Sequence, residues 1–82
     1  MLTAAQIRAA RALLGWSQPV LAKASGVSLP TIVRMEGPVG PGRSSAANVD
    51  AVRRALENAG VAFLEGDDAD ALGPGVRLRL NP

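Results

Sequence analysis

Apolar residues recur at helical spacing through residues 1–60 and switch to strict alternation only near the end of the chain. Thr3-Ala4-Ala5-Gln6 reads as a capping box: the Thr3 hydroxyl faces the Gln6 backbone N–H while the Gln6 side chain reaches back. Leu2 and Ile7 hold the two positions of a hydrophobic staple. A first helix therefore runs from about Ala4 to Leu14, with Ile7, Ala10 and Leu14 inward, and Gly15 ends it. Trp16 is expected to pack between this helix and the next. Ser17 and Ser28 then stand as N-caps before two short helices of about seven residues each. Proline follows two residues after each cap, at Pro19 and Pro30, where a first helical turn tolerates a missing N–H. The remaining N–H groups of both first turns can meet a phosphate.

Between these two helices Ser25-Gly26-Val27 makes a tight turn, with Gly26 free to adopt positive φ. Helices joined so closely cross steeply, and Ala22, four residues before Gly26, supplies the small side chain at the crossing. Leu21, Val27, Ile32 and Met35 share an inward face. That arrangement leaves Leu29, Pro30, Thr31, Val33 and Arg34 on the other faces of the third helix. Gly37 to Ser45 is a loop by composition, and it lacks the Gly-Lys-Ser/Thr ending of a nucleotide cradle. A fourth helix follows from about Ala46 to Ala59, capped by Ser44 or Ser45, with Val49, Val52 and Leu56 inward. Val61–Leu64 and Val76–Leu80 are strand-like, joined by a long acidic, glycine-containing connector. Two strands alone are marginal in water. They either pack on the helices or pair with the strands of a second subunit, and the second arrangement is preferred because it gives a two-fold.

Helix, tight turn and helix with this inward set is a helix-turn-helix pattern. The positions of Gln18, Ala22, Gly26, Val27, Ile32, Met35 and Glu36, together with Gly15-Trp16-Ser17-Gln18, resemble the Cro/CI-type (XRE-like) helix-turn-helix DNA-binding regulators over roughly Gln6 to Gly60. The resemblance implies a mainly α fold, a four-helix lambda-repressor-like domain over residues 1–60; the strand pattern adds a short C-terminal two-stranded β hairpin over 61–82, expected as the dimerisation element. It further implies a partly buried ion pair between Arg11 and Glu36 that holds the scaffold.

Composition narrows the chemistry. The 82 residues include no cysteine and no histidine, which removes thiolate or Ser/His nucleophiles and the usual zinc ligands, so an enzyme is not expected, nor a cofactor or metal. The core must be mostly aliphatic, since there is one Phe, one Trp and no Tyr; in so small a domain dimerisation would add buried surface. Arginines interrupt the apolar pattern of the first helix, so no signal peptide or membrane span is expected and the protein is read as cytoplasmic. The net charge of +2 is uneven: residues 1–59 hold seven cations against three anions, and residues 60–82 hold two against four. A basic helical part favours a polyanion partner.

On the resemblance, the third helix enters the major groove and presents Ser28, Leu29, Pro30 and Thr31, with Arg34 one turn on. Leu29 and Pro30 offer apolar contact, such as with a thymine methyl, whereas Arg34 can take guanine or phosphate. Gln18 and Thr31 are the expected phosphate clamps, with Lys23, Arg43, Arg8 and Arg53 as further contributors. The implied function is a homodimeric, nucleoid-associated repressor that binds double-stranded DNA at an inverted repeat, with half-sites ~34 Å apart. Two alternatives use the same fold: the antitoxin of a toxin-antitoxin pair that regulates its own operon, and a protein-binding adaptor.

Overall fold

The computed structural model describes residues 2–80. Four α-helices come first: α1 (Ala4–Leu14), α2 (Gln18–Ser25), α3 (Leu29–Met35) and, after a 3-10 turn at Gly40–Arg43, α4 (Ala46–Asn58). Two strands follow, β1 (Val61–Leu64) and β2 (Gly75–Leu78). The result is a small, mainly helical domain with an antiparallel hairpin. Among the described residues no helix is long and apolar enough to cross a membrane.

The helix limits follow from local chemistry. Both bonds of the capping box form: Gln6 N–H donates to Thr3 Oγ1 at 3.1 Å and Thr3 N–H to Gln6 Oε1 at 2.9 Å. Leu2 and Ile7 are both buried, as a staple requires. Ser17 caps α2 by accepting from Val20 N–H, and Ser45 caps α4 by accepting from Asn48 N–H at 3.1 Å. Ser28 holds the N-cap place of α3 in extended backbone but does not cap. Its hydroxyl instead donates to Thr31 Oγ1 at 2.9 Å. Gly26 closes α2 at φ 73°, a conformation that costs an L side chain roughly 1–2 kcal/mol, and its N–H satisfies the Ala22 carbonyl.

Ile7, Ala10, Leu21, Val27, Ile32, Met35, Val52, Leu56 and Val61 form one core, with Leu14, Trp16, Ala22 and Val49 packed against it. α2 packs on both α3 and α4, so the α2–turn–α3 pair rests on a continuous apolar floor. The inward face read from Leu21, Val27, Ile32 and Met35 is the one observed. Thr31 corrects that reading: expected on an outward face, it is buried. Within α3 it lies one position around the helix from Met35, so docking of Met35 carries it under.

The strands pair with each other inside one chain, Val61 opposite Leu78 and Leu64 opposite Gly75, with β2 lying on α1 and β1 on α4. This is the first of the two arrangements weighed from sequence, and not the preferred pairing with a second subunit. The connector folds back because Asp67 and Leu72 exchange backbone bonds of 2.7 and 2.8 Å, and Asp67 Oδ1 accepts from Ala69 N–H at 2.9 Å. Strand β2 ends at Leu78, short of the expected Leu80. In this register the position opposite Leu80 would fall at Ala59, which already terminates α4. Leu80 is left fully exposed.

Gln6 secures the hairpin to the helices. Its Nε2 donates to the Leu64 carbonyl at 3.1 Å and to the Gly75 carbonyl at 3.0 Å, while its Oε1 serves the capping box. Arg53 adds a second tie from α4, its guanidinium 5.2 Å from the centroid of the Phe63 ring and its Nε 3.3 Å from Glu57.

Candidate functional site

Helix α3 turns one arc to the outside. At 100° per residue Leu29, Val33, Pro30 and Arg34 follow one another around about 140° of the helix, opposite the buried Thr31, Ile32 and Met35. All four are exposed, Leu29 at 39% and Val33 at 47%. Three apolar side chains thus share a surface with one guanidinium.

Arg34 is not free to sweep. Its Nη2 donates to Thr31 Oγ1 at 3.2 Å, and the same oxygen accepts from Ser28. Ser28 and Thr31 therefore act together as a polar bracket beneath Arg34. Beyond it, Arg34 lines a cleft of about 460 Å³ shared with Thr31, Arg43, Ser44, Ser45 and Asn48. Two arginines and the hydroxyl and amide groups at the start of α4 suit this cleft to an oxyanion such as a phosphate. Arg43 is exposed and makes no side-chain hydrogen bond or ion pair among the described residues; the same holds for Lys23 on α2.

Gln18 differs from its expected role. Its Nε2 donates to Glu36 Oε1 at 3.2 Å, so the amide is engaged inside the molecule. The same carboxylate takes Arg11 in a fork: Nε to Oε2 and Nη2 to Oε1, both 2.7 Å. Arg11 Nη1 also reaches the Trp16 carbonyl at 3.0 Å, and Arg8 donates to the Glu36 carbonyl. Hydrogen bonding to Glu36 raises the Arg11 pKa above its ordinary value, against a smaller opposing effect of burial. The network ties α1, the start of α2 and the end of α3 together, which fixes where the outward arc of α3 points. The expected ion pair is present in these residues.

A larger open groove of about 1150 Å³ lies between the start of α1, the loop after α3 and α4, walled by Leu2, Ala5, Pro38, Val39 and Val49. Of the ten residues expected at the site, only Arg8 and Arg53 line it. The arginines on its rim are already engaged, Arg8 by the Glu36 carbonyl and Arg53 by Glu57 and Phe63.

Of the expected set, Leu29, Pro30, Arg34 and Arg43 are exposed together around α3 and the cleft beside it. Gln18 and Thr31 are held in internal hydrogen bonds. The sequence reading missed Asn48 and Ser45 as cleft residues and left Val33 out of the site. Val33 was legible in the helical period; the other two required knowing that α4 starts beside Arg34. Comparison of the chain with protein-family models, with curated proteins and with solved structures finds no match.

Proposed function

We propose that the chain is a sequence-specific double-stranded DNA-binding transcriptional regulator built on a Cro/CI-type helix-turn-helix, a homodimeric repressor at an inverted-repeat operator. The observation that carries this reading is the outward arc of α3, held by the Arg11–Glu36 network and flanked by the Arg34–Arg43 cleft. A short helix presented edge-on can enter a major groove while cations beside it take the backbone phosphates. Ser28 and Thr31 contribute by placing Arg34, and Gln18 by bracing Glu36. Lys23, exposed near the end of α2, is a further phosphate contact.

The leucines that the hairpin leaves open, Leu64, Leu72, Leu78 and Leu80, support a second copy docking through residues 61–82. Repression by occlusion needs nothing further from the chain.

The exposure of Leu29 and Val33 also favours a second reading, an adaptor that binds a protein through the same face. Fluorescence anisotropy with a random-sequence duplex separates the two. Binding that weakens steeply as salt rises is expected for a DNA-binding chain, through release of counterions from several phosphates. No binding at low salt would leave the adaptor.

A further inference from the structure

A helix that reads bases by hydrogen bonds needs donors and acceptors on its outer arc, and α3 has almost none. Leu29 and Val33 are aliphatic, and Pro30 lacks even its backbone N–H. Arg34 is the single hydrogen-bonding side chain of the four, and Thr31 holds it at the side of the arc next to the cleft. The one apolar group that a base pair of ordinary DNA presents in the major groove is the C5-methyl of thymine.

We propose that Leu29, Pro30 and Val33 form a methyl-reading surface, so that this chain selects duplexes by the thymine methyl groups they present and uses Arg34 and Arg43 only to set its register on the backbone. The inference rests on the DNA-binding reading above and says what that site discriminates. Charge decides the occupant: a cleft with two arginines borders the apolar arc, and residues 1–59 carry a cationic excess. Apolar partners flanked by anions are what a thymine-bearing groove between two phosphate strands offers. Aliphatic side chains in contact with a methyl exclude water from both, a gain that uracil, with hydrogen at C5, cannot provide. Cytosine methylated at C5 carries its methyl at the corresponding place on the groove wall. Affinity should therefore follow methyl groups and not A·T content, which sets methyl reading apart from recognition of a narrow minor groove.

The test uses the full chain. Binding duplexes are selected from a random-sequence pool, and each thymine of the winners is replaced singly by deoxyuridine. Removal of one contacted methyl should weaken binding roughly four-fold, the equivalent of one buried methyl or methylene. Replacing a contacted T·A pair by C·G should weaken binding, and methylation of that cytosine at C5 should recover part of the loss. In Val33→Ala, sensitivity to at least one deoxyuridine should shrink; in Arg34→Ala, binding should weaken with that sensitivity unchanged. Tight binding that moves less than about two-fold with deoxyuridine at every thymine overturns methyl reading and leaves the DNA-binding role standing. Failure to bind any duplex at low salt overturns both.

Discussion

Arg11 holds Glu36 through two parallel 2.7 Å hydrogen bonds, and the two partners differ in their access to water: the Arg11 side chain is 20% exposed and that of Glu36 only 3%. The pair is therefore asymmetric under mutation. Arg11→Ala strands a buried carboxylate with only the Gln18 amide as side-chain donor, and should cost about 3–5 kcal/mol. Glu36→Gln keeps the shape and one acceptor while Arg11 can turn toward solvent, and should cost about 1–2 kcal/mol. Urea unfolding followed by Trp16 fluorescence measures both; an equal or reversed order would show that the carboxylate is not the partner dependent on this bond.

Gln6→Leu replaces the amide with an aliphatic side chain, which removes both donors from the Leu64 and Gly75 carbonyls and also breaks the capping box. A loss of about 2–4 kcal/mol is expected. Amide exchange should accelerate first in β1 and β2, ahead of α2 and α3. Uniform acceleration across the domain would mean that the hairpin does not open as a separate unit.

Two glycines of the connector should respond differently to alanine. At Gly66, with φ +100°, an added Cβ would lie 2.7 Å from the Leu72 carbonyl oxygen, whereas at Gly73 it would meet nothing within 4 Å. Gly66→Ala should break the Asp67–Leu72 bridge, moving NMR resonances across the connector and lowering stability by about 1–2 kcal/mol. Gly73→Ala should stay within ~0.5 kcal/mol of wild type. Similar thermal melts and spectra for the two variants would contradict the tight approach at Gly66.

If Arg43 contacts a phosphate from the cleft beside α3, Arg43→Ala should weaken duplex binding across all sequences and reduce the slope of log affinity against log salt by ~0.9. Anisotropy titrations at several salt concentrations give the slope. A change in sequence preference with an unchanged slope would place Arg43 on a base edge.

How much of this was legible beforehand depended on distance along the chain. The start of α1 was written in Thr3 and Gln6, and that of α4 in the pair Ser44 and Ser45, of which Ser45 is the cap, because capping takes place among neighbouring residues. The turn at Gly26 and the inward row Leu21, Val27, Ile32 and Met35 were equally local. Thr31 was misjudged because α3 spans only seven residues, too few for periodicity to fix the width of its buried face. Ser28 looked like a cap by type, and only the nearby Thr31 hydroxyl shows why it does not act as one. The paired strands are tied to α1 by Gln6, which lies 58 residues before Leu64 and 69 before Gly75. No local pattern announces such a bond, since polar residues at the start of a helix normally serve only the helix.

That clasp has a consequence for synthesis. A ribosome releases α1 early, but the amide of Gln6 gains its second carbonyl only after Gly75 has cleared the exit tunnel. Until then the nascent domain can form its helices without latching its two ends together. The helices thus precede the clasp in the order of synthesis, and the hairpin is the last part of the domain to be locked down.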